Sequence, residues 1–144
     1  MKIGITAGSF DLFHAGHVLM MKEAKKYCDH LLVLLQNDPS TDREDKNRPV
    51  QSLPERQIQV SSCKYVDEVM VYNNESELFE ILISIDYDVR IIGADWQGKA
   101  FTGHDIPGHV DKCIFNRRDH NYSSSYLRSR VYGAESDKLN KSLD

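Results

Sequence analysis

Gly8-Ser9-Phe10-Asp11-Leu12-Phe13-His14-Ala15-Gly16-His17 stands between an apolar, β-branched stretch, Lys2 to Thr6, and a segment with helical periodicity. Strand, short loop and helix in that order open a parallel α/β sheet. The loop falls where a helix N-terminus leaves backbone N–H groups unpaired and the dipole favours an anion, phosphate first. It is not the dinucleotide fingerprint: Gly-x-Gly-x-x-Gly is absent, and two imidazoles occupy positions that motif keeps for glycine. A lone histidine is usually a satisfied structural residue. His14 and His17, three apart at a helix start, can face one way and donate to a single phosphate.

Outward from this loop the pattern alternates. His17 to Cys28 places Val18, Met21, Ala24 and Cys28 at helical spacing, and Leu31 to Leu35 is a continuous apolar run fit for a strand buried on both faces. Asn37 to Pro49 is a long polar loop of the kind that serves a site. Pro54 suits the first turn of a second helix, followed by a strand near Glu68 to Val71. Ser76 is placed to cap a helix to about Ile85, Val89 to Gly93 reads as a fourth strand, and Lys112 to Phe115 as a fifth. Ser123 or Ser124 caps a last helix reaching about Tyr132. The expectation is one Rossmann-like domain, residues 1–132, with a mainly parallel five-stranded sheet and helices on both faces, and a frayed polar tail, residues 133–144. Its site belongs at the carboxyl ends of the strands, where the loops after the first, fourth and fifth strands converge.

Composition bounds the function. The 144 residues carry 18 Lys and Arg against 22 Asp and Glu, a net charge of −4, which disfavours general attraction to nucleic acid. Cys28, Cys63 and Cys113 form neither a CxxC pair nor an even disulfide set, so reduced cytosolic thiols are expected. No apolar run approaches the roughly 20 residues of a membrane span, and Met1 to Gly8 lacks the features of a signal peptide. A soluble, cytoplasmic protein follows as the expectation.

Against this acidic background, Lys112 to Arg130 holds five basic residues and one acidic one. Arg117 and Arg118 beside Ser123, Ser124 and Ser125 at a helix start offer guanidinium, hydroxyl and backbone donors to a polyphosphate. Gly93 to Lys99 spells Gly-x-x-x-x-Gly-Lys, but Ala100 follows where a P-loop needs Ser or Thr, and Gly103 and Pro107 interrupt the helix it would open. Trp96, the only tryptophan, reads equally as a binding-loop residue or a packing anchor. His104 and His109 with Asp105 and Asp111 straddle Pro107-Gly108 in no standard ligand pattern, so a mobile lid near an acceptor is expected there rather than a metal site.

The decapeptide at Gly8 to His17 resembles the HxGH signature of a nucleotidyltransferase superfamily. Tyr65 to Val69, Gly93 to Lys99, and Arg118 with Ser123 to Ser125 fall in the order and spacing of its cytidylyltransferase branch, most similar to the enzymes acting on glycerol 3-phosphate. The resemblance runs from about Lys2 to Arg130. It implies transfer of CMP from CTP, carried with Mg²⁺, to a small phosphomonoester such as glycerol 3-phosphate, with pyrophosphate released by direct in-line attack and no metal held by protein ligands alone. It implies catalytic roles for His14, His17, Arg118 and Lys46. Nucleotide contacts would come from Ser9, Phe10, His14, Gly16, His17, Asp95, Trp96, Arg118, Tyr122, Ser123, Ser124 and Ser125, and acceptor contacts from Lys46, Arg48 and Arg56. A homodimer is also implied. The chain departs from that branch at Asn121 and Ser124-Ser125. Arg48-Pro49-Val50 with Pro54-Glu55-Arg56 is closer to sugar-phosphate adenylyltransferases, so ATP with a sugar phosphate is the alternative. A nucleotide-binding regulator without turnover is a second.

Overall fold

In the computed structural model, which describes residues 1–143, five strands form one parallel sheet in the order β3-β2-β1-β4-β5. The strands are β1 (Ile3–Gly8), β2 (His30–Gln36), β3 (Glu68–Tyr72), β4 (Val89–Ile92) and β5 (Cys113–Phe115). The helices are α1 (Ala15–Ala24), α2 (Leu53–Ser61), α3 (Glu75–Ser84) and α4 (Ser124–Leu143). The chain winds outward from β1 to β3 and then returns to place β4 on the other side of β1. That reversal opens a crevice at the carboxyl ends of β1 and β4, the usual ligand position in doubly wound sheets.

Both faces are covered, as the continuous apolar run in β2 requires. Leu31, Val33 and Leu35 pack on one side with Met21, Ala24 and Val60 of α1 and α2, and Leu32 and Leu34 pack on the other with Leu78 and Leu82 of α3. Two helix starts differ from the sequence reading. The first helix begins earlier because His14 itself caps it, and α3 is capped by Asn74, whose side chain accepts from Glu77 N, rather than by Ser76. Glu75 and Glu77 in that first turn complement the dipole.

The last helix does not fray at Tyr132: α4 continues through Gly133 to Leu143. Ala134, Glu135, Lys138 and Leu139 are strong helix formers that offset the roughly 1 kcal/mol cost of Gly133. Asp137 and Lys141 stand four residues apart in the favourable order, with Lys141 in the last turn. Among the described residues no helix is long and apolar enough to cross a membrane.

Candidate functional site

The loop between β1 and α1 is held in a shape its sequence does not adopt freely. Phe10 and Leu12 have φ of 48° and 52°, left-handed conformations that cost non-glycine residues energy and persist where surroundings impose them. Asp11 imposes them. Its buried carboxylate accepts from Val50 N (2.8 Å), Gln51 N (2.9 Å) and Arg128 of α4 (2.9 Å), and Leu12 N donates to Gln51 Oε1 (2.8 Å). Burial pushes the Asp11 carboxyl up, but these donors outweigh it and hold its pKa below the usual value.

His14 and His17 close a capping box made of imidazoles. His14 Nδ1 accepts from Gly16 N (3.0 Å), and His17 Nδ1 accepts from His14 N (3.1 Å). With both Nδ1 atoms occupied as acceptors, each neutral ring carries its proton on Nε2. The His14 Nε2–H donates to Ser124 Oγ at 3.2 Å. The rings lie 3.9 Å apart between centroids, and His17 stacks on Phe13 at 5.3 Å and meets the edge of Phe10 at 5.5 Å. Burial first, then His14, pushes His17 down to about 3, and burial with His120 and Arg118 lowers His14. His17 is therefore a neutral donor at physiological pH. Gly16 is required by space: a Cβ there would stand 2.8 Å from His14 Cε1 and 3.1 Å from His120 Cε1.

These two rings line a cavity of about 210 Å³ shared with Gly16, Asp95, Asn116, Arg118, His120 and Tyr122, and with Ser123 and Ser124 at the start of α4. Ser123 Oγ accepts from Tyr126 N at 3.0 Å, which caps the helix and leaves the earliest N–H groups of α4 for an anion. Arg118 pairs with Asp95 at 2.9 Å, both well exposed. Such a pair is worth about 0–1 kcal/mol and exchanges readily for a stronger anion. Asn116 Oδ1 accepts from Ala94 N at 2.9 Å and fixes the turn after β4.

A second cavity, about 270 Å³, lies on the other side of β1 and meets the first at Gly93. Gly8, Ser9, Arg43, Lys46, Arg90 and Trp96 are among its walls. Glu75 Oε1 accepts from Arg43 (2.7 Å), whose guanidinium also covers the Trp96 ring at 5.4 Å.

Several expected contacts fall elsewhere. Trp96 lines the second cavity, not the one holding the histidines, because the turn Ala94–Trp96 points Asp95 and Trp96 to opposite sides. The Phe10 side chain is in the core, 5% exposed. Ser125 and Arg48 are exposed and line neither cavity. Arg56, expected as a phosphate clamp, is 2% exposed and donates to the carbonyls of Ser9, Gln36, Asn37 and Gln51. It ties α2 to the ends of β1 and β2, with four of its five donors spent on backbone carbonyls and the side chain buried away from either cavity. Asp67, in the Tyr65 to Val69 motif, accepts from Leu31 N at 2.8 Å and from Lys25, so it joins β2 to the turn before β3.

The segment after Trp96 is pinned rather than free. Arg90 donates to Thr102 O (2.5 Å), Thr102 Oγ1 to Glu75 Oε2 (2.8 Å), and Tyr87 Oη bonds His109 Nδ1 (2.5 Å). His104 bonds Phe101 O and His109 reaches back to Tyr87, and among the described residues no three His, Cys, Asp or Glu side chains gather as a metal site would need. Sequence reasoning missed Asp11, Arg43, Arg90, Asn116, His120 and Arg128. Only Asp11, inside the motif, carried a local signal.

A parallel sheet with a phosphate-ready loop at its switch point, paired imidazoles and a basic helix start defines the nucleotidyltransferase class. Residues 5–130 match the family model described as cytidylyltransferase-like, and the chain belongs to that family. It is 38% identical over 115 residues to the bifunctional protein HldE of Wolinella succinogenes, covering 79% of this chain and 24% of that protein. Against HldE of Caulobacter vibrioides it is 32% identical over 133 residues, 91% and 27% of the two chains. The chain spans about a quarter of the length of these curated relatives. The crystal structure of a lipopolysaccharide core biosynthesis protein from Thermoplasma volcanium shares the fold, with a TM-score of 0.58, 23% identity and coverage of 94% of this chain and 89% of that one.

Proposed function

We propose that this chain transfers a nucleoside monophosphate from a Mg²⁺-bound nucleoside triphosphate to a phosphorylated sugar, releasing pyrophosphate. The observation that carries the reading is the meeting of two cavities at Gly93: one has the paired histidines and the α4 N-terminus, the other has cations, hydrogen-bonding groups and an aromatic wall. The triphosphate occupies the first and the acceptor the second. An acceptor phosphate oxygen attacks the α-phosphorus in line, the new P–O bond forms as the bond to the β-phosphate oxygen breaks, and pyrophosphate leaves. The attacking monoester is already anionic, so no general base is required and catalysis is positioning plus charge stabilisation.

His14 and His17 donate from Nε2 to α-phosphate oxygens. Arg118 leaves Asp95 for the β- and γ-phosphates, joined by the first N–H groups of α4 and the hydroxyls of Ser123 and Ser124. Among the described residues Asp95 is the only carboxylate lining the nucleotide cavity, and it is paired with Arg118, so Mg²⁺ would arrive with the phosphates as part of the nucleotide substrate, where it would neutralise charge on the leaving group. Lys46, exposed at the acceptor cavity's mouth, steers the incoming phosphate.

Trp96 and Phe101 stand in the wall of the acceptor cavity, apolar surface against which a sugar ring can pack. Together with the resemblance of Arg48-Pro49-Val50 to sugar-phosphate adenylyltransferases, this favours ATP and a sugar phosphate. CTP with glycerol 3-phosphate is the second reading, favoured by the motif series and the family description. Pyrophosphate release is measured for CTP, ATP, GTP and UTP against glycerol 3-phosphate, phosphocholine, ribitol 5-phosphate and hexose and heptose 1-phosphates. The highest kcat/KM is expected for ATP with a sugar phosphate. A maximum at CTP with glycerol 3-phosphate overturns the substrate assignment, and no release with any pair leaves a nucleotide-binding regulator.

A further inference from the structure

Arg90 lies in the middle of β4, in the apolar run Val-Arg-Ile-Ile, and is 7% exposed. Its neighbours Val89 and Ile91 point into the core beneath α1 and α2, so strand alternation sends Arg90 to the α3 side. There it forms part of the acceptor cavity wall. A buried guanidinium ordinarily has a carboxylate partner, because leaving the charge uncompensated in a poorly solvated place costs several kcal/mol. Among the described residues Arg90 has none.

Its one hydrogen-bond acceptor is the carbonyl of Thr102, at 2.5 Å, and one face is covered by the Phe101 ring at 5.4 Å. Glu75 is close enough to be felt electrostatically, but its Oε1 is taken by Arg43 and its Oε2 by Thr102 Oγ1. With Arg43 and Glu75 cancelling each other, the cavity retains the charges of Lys46 at its mouth and Arg90 at depth. A guanidinium offers five donors in a rigid fork that matches carboxylate or phosphate oxygens, so most of Arg90's capacity is unspent. Burial also pushes its pKa down.

The reacting phosphate is not that anion. It must reach the junction with the nucleotide cavity at Gly93, three residues beyond Arg90 and roughly 10 Å along the strand. We propose that Arg90 is a specificity residue that reads a second anionic group on the acceptor, so that the substrate is a sugar phosphate bearing a further carboxylate or phosphate. This rests on the assignment of the second cavity to the acceptor.

The test compares three probes on one hexose frame: glucose 1-phosphate, glucose 1,6-bisphosphate and glucuronic acid 1-phosphate. Pyrophosphate release with the wild-type protein is expected to favour at least one two-anion probe by about thirtyfold in kcat/KM, the worth of a charge-assisted pair; which one distinguishes phosphate from carboxylate. Arg90→Met should abolish that preference by raising KM for the favoured two-anion probe far more than for glucose 1-phosphate, with little change in kcat, and be partly rescued in Arg90→Lys. Equal use of all three probes by wild type, or equal losses on all three in Arg90→Met, would assign Arg90 to holding Thr102 and overturn the proposal. The same probes are titrated by the fluorescence of Trp96, the only tryptophan and a wall of this cavity. Tighter binding of a two-anion probe that is lost in Arg90→Met supports the site even without pyrophosphate release, which would then count against the transfer reaction alone. Indifference to the second anion in both assays refutes the site.

Discussion

His17→Ala and His14→Ala each lower kcat by at least tenfold, about 1.4 kcal/mol of transition-state stabilisation, in a steady-state assay of pyrophosphate release. Each removes one Nε2 donor from the place where negative charge grows on the α-phosphate. The His17 effect should be the same factor from pH 6 to pH 8, because a ring held near 3 is neutral throughout that range and donates without titrating. A His17 effect confined to one end of the range would mean an imidazolium acts instead. Stability responds with the opposite emphasis. His14→Ala loses the helix cap, a cost of about 1 kcal/mol. For His17 the folded value lies below the ordinary 6.5, so between pH 6.5 and 3 the unfolded chain binds a proton that the folded chain refuses. Its contribution is therefore unfavourable on acidification through that window and absent above it, and His17→Ala should flatten the acid side of the stability profile.

Asp11→Ala lowers stability by about 3 kcal/mol, equivalent to a Tm loss of about 10 °C in thermal melts. The substitution strands two backbone N–H groups and the Arg128 guanidinium at once, and unpaired groups of this kind cost about 1–3 kcal/mol each when buried. It also releases the loop that holds Phe10 and Leu12 at positive φ. Arg128→Met should cost less, about 1 kcal/mol, since Asp11 keeps both backbone donors, and the double variant should be little worse than Asp11→Ala. An Asp11→Ala loss below 1 kcal/mol would show that the loop keeps its shape by other means.

The elements that define the fold were legible because their signals are local. The β2 run Leu31 to Leu35 is apolar throughout, the Gly8 to His17 loop sits between strand and helix, and the two histidines are three residues apart. What escaped depends on distance in sequence. Asp11 meets partners 39, 40 and 117 residues away, so its place in the motif was visible but its work was not. Arg90 is one charge inside a strand that otherwise reads as core, and only the cavity beside it gives that charge a meaning. Arg56 shows the reverse error: a cation after a polar loop reads as a phosphate clamp until its four carbonyl acceptors are seen. The extension of α4 past Gly133 rests on small favourable terms spread over ten residues, which a pattern search for apolar periodicity passes over.

The most direct test of nucleotidyl transfer is ³¹P NMR of the protein with Mg²⁺, ATP and a hexose 1-phosphate, run alongside CTP with glycerol 3-phosphate. Pyrophosphate and a new phosphoanhydride product should accumulate in equal amounts without orthophosphate, and accumulation should slow at least tenfold in His14→Ala and His17→Ala. Orthophosphate in place of pyrophosphate, or triphosphate signals unchanged in both reactions, would contradict the transfer mechanism.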